Sequence, residues 1–108
     1  MAEARRKAAE ENKPVMIDFY ADWCHWCKQL DEDTYSDAAV QAKAKGFICA
    51  KVNADQDQAS AREFGASGLP TIVWLDATGR ELNRLEGYAP AEDFLREMDK
   101  ALAATKPS

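Results

Sequence analysis

Cys24 and Cys27 stand three residues apart where a β-rich run gives way to a helical pattern, and this junction narrows the folds open to the chain. Residues 14–21, just upstream, are apolar, β-branched and aromatic without clean period-two alternation. That is the pattern of a strand covered on both faces, and it carries one acid, Asp18. Asp22 is placed to cap a helix beginning around Trp23 or Cys24. Residues three apart on a helix share a face, so the two sulfurs come within bonding distance. Cys24, in the first turn, meets unpaired backbone N–H groups and the positive end of the helix dipole, which favour a thiolate. Cys27, one turn deeper, is expected to be less exposed and to keep its proton. A depression of roughly two pKa units at Cys24 corresponds to about 2.7 kcal/mol in favour of the thiolate, and a protonated His25 adds a little. The asymmetry describes disulfide exchange: Cys24 attacks a partner disulfide, a mixed disulfide forms, and Cys27 attacks Cys24 to release the reduced partner. A zinc site needs two more ligands, and the candidates left are Cys49 and His25, whose side chain turns to another face, so no metal is expected. A plain buried thiol pair does not account for the helical spacing at a helix start.

The remaining chain supplies the other layers. Residues 2–12 read as a polar, weakly amphipathic helix ending near Asn12, Lys13 and Pro14. A second helical piece after the cysteines spans residues 36–46, capped by Ser36 or Asp37 and closed by Gly46. Residues 47–53 form a second apolar strand, and residues 55–66 a short helix with Gly65 near its end. Residues 71–76 are a third strand, 77–79 a hairpin turn and 80–87 a fourth, more polar strand, in which Leu82 and Leu85 break the alternation by lying three apart. Pro90 suits the first turn of a helix whose Phe94, Leu95, Met98, Ala101 and Leu102 make one buried face. Residues 105–108 are expected to fray. The first two strands are joined by a crossover long enough for parallel pairing and the last two by a tight antiparallel turn. The expected architecture is therefore α/β, a mixed parallel and antiparallel central sheet with helices on both faces, in one domain over residues 1–108.

The 14 basic residues against 19 acidic ones give a net charge of −5. The one basic run, Arg5-Arg6-Lys7, sits among Glu3, Glu10 and Glu11, so nucleic acid is not an expected partner. No apolar run reaches the roughly 18 to 20 residues that cross a membrane, and the first residues lead into charge rather than a signal-like core. Three cysteines is an odd number. With Cys24 and Cys27 paired, Cys49 is left over and reads as a small buried core residue.

The stretch Ile17-Asp18-Phe19-Tyr20-Ala21-Asp22-Trp23-Cys24-His25-Trp26-Cys27-Lys28 resembles the active-site strand and helix of the thioredoxin superfamily, and Gly68-Leu69-Pro70-Thr71 resembles its cis-proline loop. The resemblance runs from about Lys13 to Leu102 and implies the thioredoxin fold. It implies a cis peptide bond before Pro70, facing the cysteines, and backbone groups at Leu69 that bind an extended substrate segment. It makes Asp18 the buried acid beneath Cys27, with a raised pKa, able to take the proton of Cys27. It makes Lys51 the partner of that acid. Within the superfamily, Lys13–Lys28 followed by residues 31–41 resembles the C-terminal domain of the DsbD-type electron carriers, which implies a second acid at Asp31 tuning the nucleophile. Trp23 and Trp26 offer an apolar contact surface, with His25 between the cysteines, and Gly87 matches a glycine that lets a partner approach closely. His25-Trp26 departs from the Gly-Pro of thioredoxin and from the small apolar residues of the DsbD-type domain.

The expected function is a thiol:disulfide oxidoreductase of protein-disulfide reductase type, acting as reductant or electron carrier. A disulfide isomerase or oxidase, and a non-catalytic adaptor binding through Trp23, Trp26 and Pro70, are the alternatives. No cofactor is expected. The partners are protein disulfides or dithiols and an upstream electron donor, the chain itself is expected to be monomeric, and the DsbD-type resemblance favours the periplasm over the cytoplasm.

Overall fold

The computed structural model describes residues 1–105, so the fray expected at Lys106–Ser108 lies outside the described residues. In chain order the elements are α1 (Ala2–Glu11), β1 (Val15–Tyr20), α2 (His25–Asp33), α3 (Ala38–Ala44), β2 (Ile48–Asn53), α4 (Gln58–Glu63), β3 (Thr71–Leu75), β4 (Glu81–Glu86) and α5 (Ala91–Ala104). The strands form one sheet in the order β2-β1-β3-β4. β1 pairs in parallel with β2 and antiparallel with β3, and β3 pairs antiparallel with β4. This is the mixed sheet that the spacing of the crossovers and turn requires.

Period-two alternation along β1 and β3 sends side chains to two separate cores. Val15, Ile17, Phe19, Val73 and Leu75 pack with Ala8 of α1 and Ala61 of α4 on one face. Met16, Ile72 and Trp74 pack with Leu30 of α2, Val40 of α3 and Phe94 and Met98 of α5 on the other. Helix faces therefore cover both sides of β1 and β3, which explains why their runs are apolar on both faces, with Asp18 the one acid in β1. Leu82 and Leu85 both reach the second core because the β3–β4 ladder slips between Trp74 and Leu75: Trp74 lies opposite Asn83 while Leu75 lies opposite Glu81. Leu82 is the extra residue of that bulge, and the bulge turns it onto the face Leu85 already occupies.

The ends of α1 and the cap of α3 fall where expected, while Pro90 and Gly46 take other roles. Asn12 ends α1 in the left-handed region at φ 53°, where asparagine is tolerated. Pro90 is the N-cap of α5 and lies just outside its first turn. Asp37 caps α3, its Oδ1 accepting from the N–H groups of Ala39 at 2.9 Å and Val40 at 3.1 Å. Gly46 does not end that helix in a left-handed conformation; its N–H donates to the Lys43 carbonyl at 3.0 Å, and Lys45 is right-handed. The Asp37→Ala variant leaves two first-turn donors unpaired, and its urea unfolding free energy is expected to fall by about 1 kcal/mol; an unchanged midpoint would remove the cap from the account of α3.

β2 is an edge strand, and this corrects the reading of Cys49. Its side chain is exposed and stays outside both cores. A strand with one neighbour and a face left open does not need small apolar residues to be inside.

Candidate active site

β1 ends at Tyr20 and the chain turns through Ala21–Trp23, with the Cys24 N–H donating to the Ala21 carbonyl at 3.2 Å. Asp22 does not cap the helix. Cys24 does so itself: at φ −83° and ψ 109° it is extended, and its Sγ accepts from the Cys27 N–H at 3.1 Å. A sulfur in the N-cap position occupies the site where a serine or aspartate oxygen usually meets the first free amides of a helix. Cys24 and Cys27 are joined in a disulfide with Cα atoms 5.3 Å apart. The expected difference in their burial is absent, since Cys24 is 4% and Cys27 5% exposed. Backbone hydrogen bonding separates the two sulfurs: Cys24 receives an amide and also sits at the positive end of α2.

The rim around the pair is aromatic. Trp23 and Trp26 are 69% and 54% exposed, far more than a tryptophan serving a core. Trp23 is steadied by its Nε1–H, which donates to Asp55 Oδ2 at 2.7 Å. Trp26 lies against Tyr88, with ring centroids 5.6 Å apart, and His25 meets it edge-on at 5.1 Å. Tyr88 is fixed in turn by a hydrogen bond from its hydroxyl to Asp33 Oδ2 at 2.9 Å. The Leu69–Pro70 peptide is cis. Leu69 packs against Ala21, Cys24 and Cys27, which brings the proline loop to the pair. Trp26, Leu69, Gly87 and Tyr88 line an open groove of about 390 Å³ beside the disulfide. Gly87 has φ 97°, which favours glycine, and its N–H donates to the Pro70 carbonyl at 2.8 Å. Tyr88 and Asp55 are the rim residues that sequence reasoning passed over. Only the adjacency of Tyr88 to Gly87 pointed to it.

Beside α2 lies a group of charges. Asp18 shares its sheet face with Met16, which packs on Leu30 one turn beyond Cys27, so Asp18 enters the layer between β1 and α2. It is 5% exposed. Burial pushes its pKa up to about 6, opposed by the Tyr35 hydroxyl and the Lys51 charge and reinforced by Asp31. Lys51 is the register partner of Asp18 on β2. Its Nζ bonds Asp31 Oδ1 at 2.8 Å and lies over the rings of Tyr20 at 5.3 Å and Tyr35 at 5.5 Å. Asp18, Lys51 and Asp31 thus meet although they come from three elements. The Lys51–Asp31 pair is half exposed and contributes at most about 1 kcal/mol to stability. A second, mostly apolar cavity of about 290 Å³ runs from Asp18 and Tyr35 to Cys49, where partial desolvation by the apolar lining raises the thiol pKa although the side chain as a whole is exposed.

The thioredoxin-like domain family matches residues 1–102. The chain is 40% identical to the thiol:disulfide interchange protein DsbD of Ralstonia nicotianae over 98% of its own length and 19% of the relative's. To the protein of that name from Actinobacillus pleuropneumoniae it is 36% identical over 93% of the chain and 18% of the relative. The chain therefore spans about a fifth of the length of these curated relatives. Among solved structures, a thioredoxin from Thermus thermophilus superposes with a TM-score of 0.87 at 30% identity, covering 96% of this chain and 85% of that one. The oxidised DsbD C-terminal domain of Neisseria meningitidis gives 0.78 at 28% identity, covering 93% and 90%. With a sheet of order β2-β1-β3-β4, a disulfide at the start of α2 and a cis-proline loop packed on it, the chain belongs to the thioredoxin-like domain family.

Proposed function

We propose that this domain is a protein-disulfide reductase that receives electrons from an upstream dithiol donor and passes them to protein disulfides on the periplasmic side of a membrane. The observation that carries the reading is the sulfur of Cys24 in the N-cap position, under exposed indoles and beside a groove. In the reduced domain the Cys24 thiolate attacks one sulfur of the partner disulfide, breaking that S–S bond, forming Cys24–S–S–partner and releasing the partner's other sulfur as a thiolate. Asp18, ionised, takes the proton from Cys27. The Cys27 thiolate then attacks Cys24 Sγ, the Cys24–Cys27 disulfide forms, and the second partner sulfur leaves. Two electrons pass to the partner, and the domain is left oxidised for its donor to reduce.

Trp23, His25 and Trp26 face the incoming chain, and Leu69, Pro70 and Gly87 hold it in extended form. Lys51 and Asp31 set the field around Asp18. The potential of the Cys24/Cys27 pair, equilibrated against dithiothreitol or glutathione, tests the direction of transfer. A reductase is expected near the thioredoxin value of about −270 mV, whereas a value near −120 mV would make the domain an oxidase.

A further inference from the structure

Tyr35 follows α2 and has no counterpart in the chemistry assigned so far. Its ring is held edge-on against Phe94, with centroids 5.5 Å apart, and lies under Lys51 Nζ. Its backbone is tied on both sides, the N–H donating to the Leu30 carbonyl at 3.0 Å and the carbonyl accepting from Gln41 Nε2 at 2.9 Å. The hydroxyl is buried and has no protein partner in hydrogen-bond geometry among the described residues; Asp18 Oδ1 is in the same condition, and the two residues line one cavity. The two are close enough to act on each other's titration. The groups facing Asp18 are Tyr35 from the turn after α2, Asp31 from α2 and Lys51 from β2, while its β3 neighbour, Ile72, carries no charge.

A phenol has one proton to give. Toward an ionised carboxylate it is a donor, and toward a neutral carboxyl group much of that advantage is lost. Burial and the charge of Asp18 push the Tyr35 pKa well above the usual phenol range, so the hydroxyl keeps its proton throughout the working pH range. We propose that Tyr35 is a positioning residue of the redox reaction, its hydroxyl donating to the Asp18 carboxylate and so governing how readily Asp18 takes the proton of Cys27. Lys51 and Asp31 are tied to each other at the half-exposed edge, where water screens them. Tyr35 acts from inside, where a hydrogen bond to a charge is strongest.

The inference rests on the role of Asp18 proposed above, and the test separates the two. In the oxidised protein neither disulfide cysteine titrates, so the carboxyl carbon of Asp18 can be followed alone by NMR. The Tyr35→Phe variant keeps the ring on Phe94 and removes only the donor. Its Asp18 midpoint is expected to rise from about 6 by about one pH unit. The acid limb of insulin reduction is expected to rise by the same amount. An unmoved midpoint overturns the Tyr35 proposal and leaves Asp18 as the proton acceptor. A midpoint that moves while the acid limb stays in place overturns Asp18 as the acceptor, and with it the part of Tyr35 in the reaction.

Discussion

Cys24→Ser is expected to lose dithiothreitol-driven insulin reduction by a factor on the order of 10³ or more, since the attacking thiolate is removed outright. The loss should come without unfolding. Serine is among the best N-cap residues, so its oxygen can accept the Cys27 N–H that the sulfur accepts here at 3.1 Å. Cys27→Ser should behave differently. It keeps the nucleophile and lacks only the thiol that resolves the adduct, so it should accumulate a mixed disulfide with insulin that is visible on a non-reducing gel. Retention of more than a tenth of the activity in Cys24→Ser would sink the assignment of Cys24 as nucleophile. Adducts forming equally with both variants would do the same.

The second large effect concerns stability. Asp18 has a folded pKa near 6 against an ordinary value of 3.8. Between those values the folded chain holds a proton that the unfolded chain has released, so stability falls as pH rises from about 4 to about 6 and is level above. The shift of about two units corresponds to roughly 3 kcal/mol lost at pH 8 relative to pH 3.5. Asp18→Asn carries no such penalty. The oxidised variant should therefore be about 3 kcal/mol more stable than the parent in urea at pH 8, with a gain near zero at pH 3.5. A gain independent of pH would show that the carboxylate charge is not its source. The same change removes the group proposed to deprotonate Cys27 and should slow insulin reduction at pH 7 by about 100-fold. A buried acid that destabilises the fold in exchange for the role proposed for it in the reaction is a trade-off often met at working sites.

Much of this was readable in the residues. The two-sided burial of β1 followed from an apolar run without period-two alternation, the parallel and antiparallel connections from loop length, and the disulfide from a three-residue spacing at a helix start. Asp18 stood out as a lone acid in an apolar strand, while its expected place beneath Cys27 came from the thioredoxin-superfamily resemblance. What escaped depended on contacts between distant segments. Cys49 looked like core because its strand is apolar, but strand order placed β2 at the edge. Leu82 and Leu85 looked like a faulty alternation until the bulge opposite Trp74 and Leu75 put both on one face. Asp22 was the residue type expected at the helix start, and Cys24 took the position instead through its own backbone angles. Tyr35 gave no local signal at all, since its meeting with Asp18 joins the end of α2 to the middle of β1.

The capping role of Cys24 ties folding to electron transfer through a closed cycle. Oxidised and reduced chains can each fold or unfold, and the four free energies around that square must sum to zero. Any amount by which the amide of Cys27 favours a thiolate over a disulfide sulfur at the head of α2 therefore appears twice. It makes the reduced domain harder to unfold than the oxidised one, and it raises the potential of the folded pair above that of the unfolded chain by about 30 mV for each 1.4 kcal/mol. Two denaturation curves, one for each redox state, thus measure the protein's contribution to its own potential without any redox couple in the tube.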